Sequence, residues 1–185
     1  YAEEGEIKGA NPAYVFANFA ELTAFLCENY PERREDAPFL AKSAGGSIGT
    51  AKSLAENEAY LSMRAALFSH LPRLTASRSG IYSLVRCFEE YESALPDMLT
   101  FFSSWMRDTM CLQLTDTYEP LNGDFRKEIS EFAFSVSPYA AMRCYEKALS
   151  LAASIGKGSN FSVWITDFLS ECWRYCHDTD SRRQI

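Results

Sequence analysis

The sequence predicts an all-α protein, and three observations carry that prediction. Apolar residues recur at three- and four-residue steps along nearly every stretch. No run alternates β-branched and polar residues as a half-buried strand would. Asparagine, serine, proline and glycine fall where helices start and stop. The expected architecture is a small three-helix unit over residues 1–58, followed by a bundle of five to six helices over residues 59–185.

Asn11-Pro12 gives a cap and a proline start, and Val15, Phe19, Leu22, Phe25 and Leu26 extend that helix to residue 29. Pro31 ends it. A second helix is expected over 32–44 with Phe39 and Leu40 inward, and a third over 47–57. Between them Gly45 and Gly46 provide the backbone freedom for a tight corner, and Ser47 is placed to cap the third helix. Ala51 and Leu54 then point back to the second. Glu56-Asn57-Glu58 is the expected boundary. Residues 58–71 carry Leu61, Leu67, Phe68 and Leu71 up to Pro72. Residues 78–94 carry Ile81, Leu84, Val85, Phe88 and Tyr91 on one face.

Asp97 is the expected cap of a helix over 97–114, whose apolar arc includes Met98, Leu99, Phe101, Phe102, Trp105, Met106, Met110 and Leu114. An arc that wide needs more than one neighbour. TDTYEPLNGD (115–124) reads as a loop, followed by a short helix over 124–134. Ser137-Pro138 opens the next helix, with Met142, Tyr145, Leu149 and Ala152 as its spaced apolar residues and Gly156-Lys157-Gly158 as its end. Ser159 or Asn160 caps the last helix, which turns Phe161, Trp164, Ile165, Phe168, Leu169 and Cys172 inward. The tail from His177 is polar.

The chain has 185 residues, with 13 Phe, 10 Tyr and 3 Trp, so it can build a real core. Its net charge of −7 disfavours gripping a nucleic-acid backbone. The pairs Arg33-Arg34 and Arg182-Arg183 read as solvated surface. Six cysteines, Cys27, Cys87, Cys111, Cys144, Cys172 and Cys176, include no CxxC pair and lie in helical stretches, which fits reduced thiols in a cytoplasmic protein. Neither a signal peptide nor an apolar run of spanning length is visible. The first residue is tyrosine, from which a fragment of a longer protein is expected.

Chemistry is sparse. Cys172, Cys176 and His177 share one helix face, but four-ligand zinc sites need a second pair. They read as buried thiols beside a histidine that interacts with the helix end. His70 has no nucleophile near it in sequence. Glu89, Glu90, Glu92, Glu128 and Glu131 read as solvated faces. No GxxxxGK[ST] loop occurs, so no nucleotide is expected. The expectation is no catalytic residue, no cofactor and no metal.

Four segments resemble one family in order and spacing. The corner SAGGSIG (43–49) is similar to the end of the lid domain of AAA+ clamp-loader subunits. LTFFSSWMRDTMCLQ (99–113), SPYAAMRCYEKALSLAASIGKGSN (137–160) and FSVWITDFLSECW (161–173) resemble the C-terminal collar domain of the bacterial clamp loader's delta-prime subunit, a part of DNA polymerase III. The likeness covers roughly residues 35–176. It implies a lid remnant over 1–58 and a collar over 59–185. In ATP-binding members an arginine follows the corner serine by two residues; Gly49 stands there, as suits a subunit that hydrolyses no ATP. The implied function is non-catalytic. The fragment mediates oligomerisation of the loader in DNA replication, with the gamma or tau ATPase and delta subunits as partners, and with neither nucleic acid nor membrane bound directly. Phe101, Phe102, Trp105 and Trp173 are the expected interface residues. Two other readings stay open: a gamma or tau subunit, and a free-standing helical adaptor that binds a peptide or helix in a groove.

Overall fold

The computed structural model describes residues 17–115, 117–153 and 160–178. Among them are nine α-helices, joined by turns and short 3-10 segments, and no strand. The chain divides into two compact units between Glu58 and Ala59.

In the first unit, α1 (Phe19–Asn29) packs on α2 (Ala37–Ser43) and α3 (Ile48–Ala55). Asn18 opens α1 with a reciprocal cap. Its Oδ1 accepts from the Glu21 N–H, and the Glu21 carboxylate accepts from the Asn18 N–H, both at 2.9 Å. The helix therefore begins at Phe19, and the expected Asn11-Pro12 start and Val15 lie outside the described residues. Leu22 and Leu26 are buried, while Phe19, in the first turn, is exposed. The single helix expected over 32–44 is broken. Pro31–Arg33 forms a 3-10 turn, and α2 starts only at Ala37, because Pro38 has no N–H to donate and is tolerated only in a first turn.

The corner after α2 follows the expectation in detail. Gly45 (φ +57°) and Gly46 (φ +90°) are both left-handed, where a side chain would be strained. Ser47 Oγ then accepts from the Thr50 N–H at 3.2 Å and caps α3. The Gly46 carbonyl accepts from the Ala17 N–H at 2.7 Å, tying the corner to the entry of α1.

The second unit holds six helices: α4 (Glu58–His70), α5 (Ser79–Glu90), α6 (Leu95–Leu114), α7 (Arg126–Ser135), α8 (Pro138–Ala152) and α9 (Phe161–His177). The 20-residue α6 packs on both α7 and α8, and α9 packs on α8 and α5. Pro96 occupies the first turn of α6, so the helix starts at Leu95, and Asp97 is a first-turn acid rather than the expected cap. Aromatic rings from α4, α6 and α9 meet edge to face in the core. Phe101 lies 4.8 Å from Tyr60, Trp105 4.9 Å from Phe68, and Phe102 5.0 Å from Phe168 between centroids. The first turn of α5 approaches the preceding 3-10 segment so closely that a Cβ on Gly80 would sit 2.4 Å from the Arg73 carbonyl oxygen.

Caps set the starts of both α8 and α9. Ser137 Oγ accepts from the Ala140 N–H at 3.1 Å, and Asn160 Oδ1 accepts from the Val163 N–H at 3.4 Å. Gly156-Lys157-Gly158 and Ser159, the tail beyond Asp178, and Arg182-Arg183 lie outside the described residues.

Candidate subunit interface

The inward face of α8 is made of small residues. Ala140, Ala141, Cys144 and Ala148, spaced at one, three and four residues, are all buried. Small side chains let backbones approach closely, and α8 lies against α6 and α9 on this face. The large apolar residues of α8 therefore point away from the core. Tyr139 is 44% exposed, Met142 37% and Leu149 49%, with Tyr145 half-buried between them. These residues fall at steps of three and four, so they form one stripe along the helix. The spaced apolar set 142, 145, 149 and 152 is thus the outward face of α8, because its alanines fill the space toward α6.

Beside the stripe runs a cleft of about 270 Å³ between α6 and α8. Leu99, Leu121, Tyr145 and Leu149 supply its apolar surface, and Ser103, Ser104 and Arg107 its polar edge. Leu121 reaches it from the loop after α6, and a buried polar network holds that loop in place. The Asp108 carboxylate, fully buried, accepts from Tyr118 Oη at 2.7 Å, from the Leu121 N–H at 3.1 Å, and from Asn122 N–H and Nδ2 at 2.9 and 2.8 Å. Asn122 Oδ1 in turn accepts from the Arg64 guanidinium at 3.0 Å. Arg64 donates both its terminal nitrogens to Asp124, at 2.6 and 2.7 Å. The guanidinium is 2% exposed and lies between the Phe68 and Phe125 rings, 4.9 and 5.0 Å from their centroids. Burial, and then the bond to Asp108, pushes the Tyr118 hydroxyl well above the ordinary tyrosine range.

Three of the four expected interface residues lie in the core. Phe101, Phe102 and Trp105 are at most 1% exposed, closed inside the second unit by Tyr60, Phe68, Phe132 and Phe168. They hold α6 in the core and present nothing to a neighbour. Trp173 is half-buried in the last turns of α9, its ring stacked on His177 with centroids 4.2 Å apart. His177 Nδ1 lies 2.9 Å from the Trp173 carbonyl oxygen, at the helix end. Gly45, Gly46, Ser47 and Gly49 sit together at the corner in the first unit.

The thiols are also resolved. Cys87, Cys144, Cys172 and Cys176 are buried and Cys27 and Cys111 half-buried, all unpaired. Cys144 Sγ donates to the Cys172 carbonyl at 3.6 Å. Burial pushes the Cys87 thiol up to about 11, so it is protonated at neutral pH. Among the described residues no group of three or more His, Cys, Asp or Glu is arranged to hold a metal ion, and no helix is long and apolar enough to cross a membrane.

A family model described as DNA polymerase III, delta subunit, C terminal, matches residues 58–173, well over half of the chain. The chain belongs to this clamp-loader family. No curated protein matches it. The delta-subunit family match runs from the start of α4 almost to the end of α9. The outward stripe of α8, the cleft and the Asp108 network all fall within it, and the Gly-Gly-Ser corner falls outside it.

Sequence reading did not find the stripe or the network. The signal for the stripe was the run of alanines and a cysteine at 140, 141, 144 and 148, too small to fill a core unless a neighbour comes close. For the network it was Arg64 and Asp108, two charges on the apolar faces of their helices.

Proposed function

We propose that this chain is the C-terminal part of a delta-prime-type clamp-loader subunit, with a lid remnant over 1–58 and a collar over 59–185. In this reading its work is assembly: it joins the other loader subunits, the gamma or tau ATPase and delta, during DNA replication, and it carries no catalytic step. The observation that carries the reading is the outward stripe of Tyr139, Met142 and Leu149 on α8, inside the matched family domain. Burying large apolar side chains drives association, whereas leaving them in water has no compensating gain. The neighbouring cleft extends that surface and adds hydrogen-bonding hydroxyls from Ser103 and Ser104. A stable pairwise contact of ordinary size covers on the order of 1,600 Å² in total. The delta-prime assignment rests on Gly49, which stands where an ATP-binding lid would carry its arginine.

Native mass spectrometry of the full-length protein mixed with the same organism's loader ATPase and delta subunits tests this reading. The expected result is a multi-subunit complex that contains the protein and fails to form when residues 59–185 are deleted. Absence of the protein from complexes the other subunits do form would overturn the assembly role. Nucleotide binding by the fragment, measured with a fluorescent ATP analogue, would overturn the delta-prime assignment.

A further inference from the structure

Cys144 of α8 meets two cysteines of α9 inside the second unit. Cys144 and Cys172 are 0% exposed and Cys176 4%. Cys144 Sγ donates to the Cys172 carbonyl oxygen at 3.6 Å. Within an α-helix that carbonyl also receives the N–H four residues on, which is that of Cys176. The Cys144 sulfur therefore sits beside the turn that joins the two α9 cysteines, and its side chain is in hydrogen-bonding contact with both of theirs. The face of α8 around Cys144 is made of Ala140, Ala141 and Ala148, which let α9 approach closely. A disulfide needs such an approach, with Cα atoms about 4.4–6.8 Å apart.

We propose that Cys144 and Cys176 are an oxidisable pair, converted by a peroxide into a disulfide that fastens the end of α9 to α8. Position selects Cys176 over Cys172. Cys176 is the last residue but one of α9, and helix ends fray, so a local opening exposes it while Cys172, a turn deeper, stays covered. In the closed state, hydrogen bonding among the thiols, and then burial, keeps Cys144 and Cys176 protonated and unreactive. In the opened turn Cys176 loses its proton and its sulfur attacks one peroxide oxygen. The O–O bond breaks, the second oxygen leaves with that proton as water, and Cys176 becomes a sulfenic acid. Reclosure returns it to Cys144, whose sulfur displaces the hydroxyl as a second water and forms the S–S bond. Two thiols are oxidised and one peroxide is reduced to two waters. The pair lies on the inward face of α8, so the inference does not rest on the assembly role of the outward stripe.

The test treats the whole chain with excess hydrogen peroxide, labels the remaining thiols with N-ethylmaleimide in urea, and maps the products by trypsin digestion and mass spectrometry. Arg174 stands between Cys172 and Cys176, so trypsin places the two on different peptides. Two of the six cysteines are expected to escape the label. Peptide 144–147 is expected to be recovered joined to peptide 175–182, until dithiothreitol releases it. The linked chain is expected to melt several degrees above the reduced one, because the bond closes a loop in the unfolded chain. Cys172→Ala is expected to retain the linked peptides and Cys144→Ala to abolish them. Labelling of all six cysteines, joining through peptide 158–174 or between two chains, or a linked chain that melts no higher than the reduced one would each overturn the proposal.

Discussion

At the scale of single residues, Asp108 is the buried acceptor that holds the loop after α6. Its carboxylate is fully buried and meets five hydrogen bonds, four from Tyr118, Leu121 and Asn122 and a longer one from Arg107 at 3.4 Å. Those donors all belong to α6 or to the loop after it, so the residue decides where that loop lies. Asp108→Ala leaves the Leu121 and Asn122 main-chain N–H groups unpaired inside the unit and the Asn122 amide with Ser104 as its remaining acceptor. We expect a loss of roughly 3 kcal/mol or more in urea unfolding, the range for removing one partner from a buried charged network. Tyr118 gives a pH-dependent check. Its folded pKa is raised, so its contribution is fully present below the unfolded value near 10 and is lost as pH rises through the higher folded value. The unfolded chain releases the Tyr118 proton first, so stability is expected to fall above pH 10, and Tyr118→Phe is expected to flatten that fall in urea titrations at increasing pH. None of this was legible in the sequence. Asp108 lies within an apolar arc, and four of its five hydrogen bonds come from ten or more residues onward, in a stretch that reads as loop.

The helices themselves were largely legible, because capping and periodicity are local. The Ser47, Ser137 and Asn160 caps and the Gly45-Gly46 corner stand as expected. The start of α2 departs from the expectation because Pro38 must sit in a first turn, and the facing of α8, which periodicity leaves open, is set by how near α6 comes. Two variants test the facing of α8. Ala148→Leu places a branched side chain on the closest face of α8 and is expected to cost about 1–3 kcal/mol by overpacking. Met142→Ala, on the opposite face, is expected to change stability by less than about 0.5 kcal/mol. Thermal melts of the two separate an inward from an outward stripe. Gly80→Ala, with 2.4 Å between the new Cβ and the Arg73 oxygen, is expected to be destabilising by a similar 1–3 kcal/mol, since backbone must move to admit it.

At the scale of the whole molecule, the sequence offered the all-α class and the clamp-loader resemblance, and the structure and the family match support both. It did not offer the surface. Tryptophan and phenylalanine drew attention as anchors, yet Phe101, Phe102 and Trp105 close the core, and the large side chains left in solvent among the described residues include Tyr139, Met142, Leu149, Phe134 and Leu114. Periodicity says that a stripe exists but not which neighbour covers it. In the proposed assembly the stripe of α8 binds the other loader subunits. That contact is tested most directly by carrying Met142→Glu and Leu149→Glu together in the full-length protein and measuring its affinity for the remaining subunits by calorimetry. The expected result is an unchanged melting temperature and an affinity at least about a hundredfold weaker, two buried anchors each worth a tenfold or more. A doubly charged α8 that assembles with the parent's affinity would contradict it.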